Sequence, residues 1–398
     1  MSDAPAAKKV LFEITEDQVD TGLRGFPTSF VRTSAVDPEV GVSYVGYPIE
    51  DLAYIEPEAA VYLLFHKELP TTEQLAAFKV DLARRAKLDP RVIALLGSLP
   101  KEGHPMEWLM AGLTFMGMLT KTGDFREDGL NMIARSPELI ANIFRLREGW
   151  GAPIASKPEL GLVENMVHML GVPGADPGKL TRLLRIYYVI HMDHGGGNLS
   201  TFTGKAIASG LADQYSSMVG AMAALYGPLH GRANQECLEF VKKVSDATGG
   251  KADGDAVEAF VRHELATGGK LFGFGHAVLR AEDPRARVQY KVGAEICGDD
   301  PLFRIAALLR ERGVKVLKEN VKIQNPYPNV DAVSGSLTNA CGLTDPEYYT
   351  VLFGFARIAG IAAQIVDERT VARGGKGVPI YRPEDVVKGQ PFRRLAPS

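Results

Sequence analysis

Apolar and polar residues alternate in one part of the chain, the stretch SFVRTSAVDPEVGVSYVGYPI at 29–49, where Asp-Pro-Glu-Val-Gly supplies a turn. A period of two on either side of a turn predicts one short β-hairpin. From Ile49 onward the period changes, and Leu52, Ile55, Ala59, Leu63 and Leu64 recur at helical spacing. LPTTEQLAAFKVDLARRAKL places a Thr-Thr cap ahead of a periodic run. EWLMAGLTFMGML, SPELIANIFRLREG and PELGLVENMVHMLG continue the helical pattern, with Pro and Gly marking the breaks. GADPGKLTRLLRIYYVIHMDHGGGN reads as one helix stopped by three glycines. VSDATGGKADGDAVEAF (244–260) reads as a surface loop between two helices, and VARGGKGVPIYRPEDVVKGQ (371–390) as an extended arm. No sustained alternation follows residue 50, so the expected fold is mainly α.

A chain of 398 residues is longer than one core usually serves, which predicts at least two lobes. A 45% hydrophobic content is ample for a sizeable interior. The formal net charge of −3 excludes a general nucleic-acid binder, which carries a basic surplus. Cys237, Cys297 and Cys341 are far apart and odd in number, so they define neither a disulfide framework nor a zinc ribbon and fit a reducing compartment. MSDAPAAKKVLFEIT has no apolar core of signal-peptide length and no Arg-rich presequence, and no stretch reaches the roughly 18 to 20 apolar residues of a membrane span. The expectation is a cytoplasmic protein.

Three of the eight histidines share one setting. His194 lies in DHGGGN, His230 in GPLHGRAN and His276 in GFGHAVLR. Flanking glycines let a backbone approach a ligand closely, so a ring held there can face a substrate. A cap on a helix end explains any one of them equally well; three in one chain favour a shared site. The remaining five, His66, His104, His168, His191 and His263, read as structural. In AEDPRARV, Asp283 reads as an N-cap, Pro284 as the first helical residue and Arg285 as part of the first turn. A cation there opposes the helix dipole, which suits an anion held by both, or else an Arg paired with a nearby carboxylate. Asp331, among small and apolar residues in NVDAVSGSL, reads as a base of raised pKa or as another N-cap. HGGG lacks a G-x-S-x-G partner, GFGHAV lacks the third glycine of a dinucleotide fingerprint, and neither GGK nor TGK completes a phosphate loop. His191 and His194 have metal-ligand spacing without a supporting carboxylate or cysteine cluster, so no metal site is expected.

HMDHGGGNLSTFTGKAIASGLADQYSSMVGAMAALYGPLHGRANQE, then GFGHAVLRAEDPR, NVDAVSG and YYTVLFGFARIAG, in that order, resemble the citrate synthases. The resemblance runs from about residue 20 to residue 383 and is to the shorter form, without the N-terminal domain of the NADH-regulated type. It implies a large helical domain (1–231 and 343–398), a small domain (232–342) and a homodimer. It implies condensation of acetyl-CoA with oxaloacetate, with no cofactor beyond the CoA thioester itself. His230 matches the residue that hydrogen-bonds the acetyl-CoA carbonyl, His276 the one that polarises the keto group, and Asp331 the base. His194, Arg285 and Arg357 match oxaloacetate ligands, and Arg382 an arginine that reaches the neighbouring subunit's site. Arg280 and Arg24 match contacts to CoA phosphates, and the backbone of Leu271, Gly273, Phe274 and Gly275 the loop that receives the adenine. DERTVARGGKGVPIYRP is longer than the family's usual connection, which makes Arg373 a rival to Arg382. The close alternative is 2-methylcitrate synthesis from propionyl-CoA, since one methylene is weakly discriminated by a pocket.

Overall fold

A computed structural model describes residues 10–386, Gly389 and Arg394. Residues 1–9 of the leader reading and most of the chain beyond 386 in the arm lie outside the described residues. The alternating stretch forms not one hairpin but a three-stranded antiparallel sheet: β1 (Ser34–Asp37), β2 (Gly41–Tyr44) and β3 (Tyr47–Pro48). Its register pairs Ser34 with Tyr44 and Val36 with Val42. Gly41 enters β2 at φ 95°, a conformation open to glycine and strained for other residues.

Among the described residues sixteen α-helices follow: α1 (Ile49–Leu52), α2 (Pro57–His66), α3 (Thr72–Arg85), α4 (Pro90–Ser98), α5 (Pro105–Thr120), α6 (Phe125–Glu148), α7 (Leu162–Leu170), α8 (Pro177–His191), α9 (Leu199–Ser209), α10 (Gln214–Leu225), α11 (Ala233–Ala247), α12 (Gly254–Ala266), α13 (Pro284–Cys297), α14 (Pro301–Leu317), α15 (Asp331–Ala340) and α16 (Tyr349–Thr370). Their starts are written in the sequence. Thr71 caps α3 in a reciprocal box with Gln74. Asp89, Asp176, Asp283 and Asp300 cap α4, α8, α13 and α14, each ahead of a proline in the first turn.

Three expectations need correction. Pro137 does not end a helix; it lies inside α6. Proline cannot donate to the carbonyl four residues back, that of Ile133, and the Ser136 hydroxyl donates to it instead at 2.8 Å. The 244–260 loop shrinks to 248–253, because α11 runs through Ala247 and the Asp253 carboxylate accepts from Asp255 and Ala256 to start α12. Finally, the helical segment Pro346–Thr370 is long and apolar enough to cross a membrane by length and composition, contrary to expectation, but its apolar window is wholly buried inside the molecule. α16 is the axis of the core and packs on α2, α5, α6, α8, α9, α10 and α11. Helices α11 to α15 pack chiefly on one another, with α13 and α15 also touching α8, and α11 touching α16.

Candidate active site

The end of α8, the middle of α16 and the start of α13 enclose a group of buried charges and imidazoles. α8 stops at His191, before the glycines, and Asp193 to Gly195 turn away from it. His194 sits in that turn with a buried Nε2 that has no hydrogen-bond partner among the described residues. Its ring centroid is 5.4 Å from that of His276. Burial, aided by the charges of Arg285 and Arg357, holds the His194 pKa well below the usual imidazole range.

His276 ends the loop 271–276, which leans on the segment 327–329. The Gly275 N–H donates to the Tyr327 carbonyl (2.9 Å), the Asn329 N–H to the Gly273 carbonyl (2.8 Å), and the Asn329 side chain to the Gly275 carbonyl (3.0 Å). Gly273 and Gly275 both have φ of 80°. A Cβ at Gly273 would lie 2.6 Å from Ala332 Cα, so only glycine fits against α15. His276 Nδ1 accepts from the N–H groups of Val278 and Leu279, each at 3.0 Å. An acceptor Nδ1 puts the proton of the neutral ring on Nε2, free to donate. Burial and then Arg285 lower its pKa to about 4.

His230 is fixed the other way round. Its Nε2 accepts from the Ser200 N–H at 3.2 Å at the start of α9, and also meets the Ser200 hydroxyl at 3.0 Å. The neutral ring therefore carries its proton on Nδ1. Burial and the Arg357 charge lower the His230 pKa to about 4. At neutral pH all three rings are uncharged hydrogen-bond donors rather than imidazolium ions.

Asp331 is the first residue of α15, and it is not the cap. The preceding Val330 occupies that position without a side-chain bond, and the Asn329 side chain accepts from the Asp331 N–H at 3.0 Å. Its carboxylate has no hydrogen-bond partner among the described residues. Burial raises its pKa to about 6, against the pull of Arg285 and Arg357. A carboxylate of that kind is ionised at neutral pH yet a stronger base than usual.

The two buried arginines differ. Arg285, in the first turn of α13, grips Asp283 through Nε (3.0 Å) and Nη2 (2.7 Å), which realises the paired reading in a buried rather than exposed setting. Arg357, in mid-α16, donates from Nε to the His191 carbonyl at 3.0 Å and lies over the Phe353 ring, while its Nη1 is buried without a partner. Burial lowers its pKa to about 10, with Asp193 opposing. Arg357 Nη1 and His194 Nε2 are thus unsatisfied donors or acceptors in one enclosed place, the setting in which an anionic ligand completes the hydrogen bonding.

Arg280 is exposed, its N–H donating to the Pro38 carbonyl at 2.7 Å. Leu271 is buried, and Phe274 packs partly buried against the core. Arg382 and Arg24 are not brought to the group. Both are exposed, and Arg382 lines a groove of about 710 Å³ with Leu23, Phe26, Phe202 and Tyr381. Arg373 is also exposed, at φ 55° after α16, and donates to the Gly377 carbonyl at 3.4 Å. Among the described residues no three His, Cys, Asp or Glu side chains are grouped to hold a metal.

Sequence reasoning missed the residues that aim the rings and the base. Ser200 reaches His230 across thirty positions, and no local pattern announces that. Asn329, two positions before Asp331, forms an Asx turn that frees the aspartate from capping, and an asparagine at that spacing is the local signal that points to it. His191, expected to be structural, is fully buried with Nδ1 at 2.8 Å from the Tyr187 carbonyl, and its own carbonyl anchors Arg357.

A family model described as citrate synthase, C-terminal domain, matches residues 22–384. The chain is 36% identical over 403 residues to citrate synthase 4, mitochondrial, of Arabidopsis thaliana, covering 95% of this chain and 83% of that one. It is 35% identical to the mitochondrial citrate synthase of Daucus carota, covering 96% and 84%. The crystal structure of citrate synthase from Thermotoga maritima superposes with a TM-score of 0.81 at 30% identity, covering 95% of this chain and 98% of that one. Citrate synthase from Thermoplasma acidophilum, in ternary complex with carboxymethyl coenzyme A and oxaloacetate, superposes at 0.82 with 25% identity, covering 94% and 97%. These relatives overturn the cytoplasmic expectation, since those from Arabidopsis thaliana, Daucus carota and Citrus maxima are named as mitochondrial. A low cysteine count fits any reducing compartment and could not separate the two.

Proposed function

The chain belongs to the citrate synthase family, and we propose that His230, His276 and Asp331 carry that family's reaction here. The reaction joins the methyl carbon of acetyl-CoA to the keto carbon of oxaloacetate and hydrolyses the citryl thioester to citrate and CoA. The single observation that carries the assignment is the pairing of a half-buried Asp331 carboxylate of raised pKa, without a hydrogen-bond partner among the described residues, with two neutral imidazoles locked in opposite tautomers.

A thioester methyl is a very weak carbon acid, so charge on its carbonyl oxygen must be met as it forms. His230 donates from Nδ1 to that oxygen while Asp331 removes the methyl proton. The nucleophilic carbon then attacks oxaloacetate, whose keto oxygen receives the Nε2 proton of His276 as a hydrogen bond. His194, Arg285 and Arg357 hold the two carboxylates so that the carbonyl faces the nucleophile. A neutral imidazole suits both steps, because its N–H is a donor that does not first protonate the substrate.

The division into a large domain (1–231 and 343–398) and a small domain (232–342) places His276, Arg285 and Asp331 on the small one, with His194 and Arg357 on the large. Closure between them after oxaloacetate binds would exclude water early. The bends at Gly273 and Gly275 support adenine lying along the 271–275 backbone, with Arg280 and Arg24 toward the CoA phosphates. A homodimer with Arg382 in trans is supported by the exposure of Arg382 and by the lack of any bond tying it to its own chain's site among the described residues. Replacing Arg373 and Arg382 in turn decides between them: the residue in contact with oxaloacetate raises its KM, the other leaves it unchanged.

Thiol release with acetyl-CoA and with propionyl-CoA, each beside oxaloacetate, tests the substrate. Faster turnover of acetyl-CoA is expected. A preference for propionyl-CoA makes the enzyme a 2-methylcitrate synthase and sinks the acetyl assignment.

A further inference from the structure

The turn that carries His194 is tied from within by the Asn198 side chain, which donates to the His194 and Gly195 carbonyls at 3.3 and 3.0 Å, and from outside by the N-terminal sheet and the residue before it. The Tyr44 hydroxyl donates to the Val189 carbonyl at 2.8 Å, in the last turn of α8, and accepts from the Asp193 N–H at 3.1 Å. One phenol thus closes the helix end and starts the turn. The Thr33 hydroxyl donates to Asp193 Oδ2 at 2.6 Å, and Ser34 Oγ accepts from the Gly195 N–H at 2.8 Å. Asp193 Oδ1 in turn accepts from the His194 N–H at 2.8 Å and from Gln364 Nε2 at 2.7 Å, on α16 seven residues from Arg357. Thr33, Tyr44 and Asp193 are fully buried. Their side chains are committed to hydrogen bonds within the protein, and all of them fix the backbone around His194, the residue assigned above to oxaloacetate.

The other end of the same hairpin touches the opposite side of the site. Pro38, in its turn, accepts from the Arg280 N–H at 2.7 Å. Gly41 packs so closely on Pro284 that a Cβ there would lie 2.5 Å from the proline ring. Arg285, the next residue, grips Asp283. Residues 33–44 therefore bridge the segment carrying His194 and the segment carrying His276 and Arg285.

We propose that Tyr44 is a positioning residue for oxaloacetate, setting the distance between His194 and the Arg285 side through the hairpin it anchors. The inference rests on the functional reading above and deepens it. Losing one buried hydrogen bond of this kind is worth about tenfold in affinity if the bond serves binding.

The test is a pair of near-isosteric variants of the full chain, Tyr44→Phe and Thr33→Val, assayed by thiol release with each substrate varied in turn. The expected result is a rise of about tenfold in KM for oxaloacetate, with KM for acetyl-CoA changed by less than about twofold, at unchanged circular dichroism. An unchanged oxaloacetate KM with a lowered melting temperature makes both residues merely structural and overturns the inference, as does an equal rise in both KM values. If Tyr44→Phe does not fold, Thr33→Val carries the same criterion. A wild type that releases no thiol overturns the functional reading and this inference with it; an active wild type with unshifted variants overturns this inference alone.

Discussion

Arg285 and Arg357 are both buried at one site, and the protein treats them in opposite ways. Arg285 has a carboxylate of its own: Asp283 meets it with two hydrogen bonds, and although burial opposes the charge, the pair keeps the guanidinium pKa above its ordinary value. Arg357 has only a carbonyl and an aromatic face, and burial pulls its pKa down to about 10. One cation is neutralised before substrate arrives and is held rigid. The other has no ion pair among the described residues and only the more distant Asp193 to offset its charge, which costs stability in the empty protein and is relieved when an anion binds. A site for a dicarboxylate can use both devices: a prealigned fork on α13 and an unsatisfied charge on α16.

Replacing chemistry while leaving both arginines intact has the largest expected effect. Asp331→Gly or His230→Ala should lower turnover by orders of magnitude while oxaloacetate binding, read by calorimetry, persists. Near-normal turnover in either variant would break the division between holding and reacting groups. Next comes the arginine contrast. Arg285→Met strands the buried Asp283 carboxylate and should destabilise the fold by about 3–5 kcal/mol in denaturant titration. The pH response is smaller per unit. Asp331 works as a base only when ionised, and its pKa is raised to about 6. Turnover should therefore fall about tenfold per unit as pH drops below about 6. His230 and His276, with pKa values near 4, stay neutral through that window. A pH profile flat to 5 would remove Asp331 as the base. Smallest is the stability effect of Arg357→Met: a melting temperature equal to or slightly above wild type, together with weakened oxaloacetate binding. A melting point lowered as far as that of Arg285→Met would erase the contrast.

The helices were legible because their starts are local. An aspartate or threonine cap, a proline and an apolar period announce each one within a few residues. The failures were local rules overruled by neighbours. Pro137 should stop a helix, but the Ser136 hydroxyl takes over the stranded carbonyl of Ile133 and the helix continues. At the site, the glycine-flanked histidines and the AEDPR motif pointed to residues that the fold gathers in one place. Their tautomers did not show, since His230 is set by Ser200 and His276 by the two N–H groups that follow it. Asp331 read equally as a cap, and only the geometry of Asn329 separates the two meanings. The clamp formed by Thr33, Tyr44 and Asp193 was invisible, because it joins positions some 150 residues apart.

One thiol-release trace tests the whole account most directly. Wild-type protein is mixed with acetyl-CoA alone, and oxaloacetate is added after the baseline settles. No free thiol is expected before the addition, and one CoA is expected per oxaloacetate consumed after it. Thiol release without oxaloacetate, or none once it is present, would contradict the account.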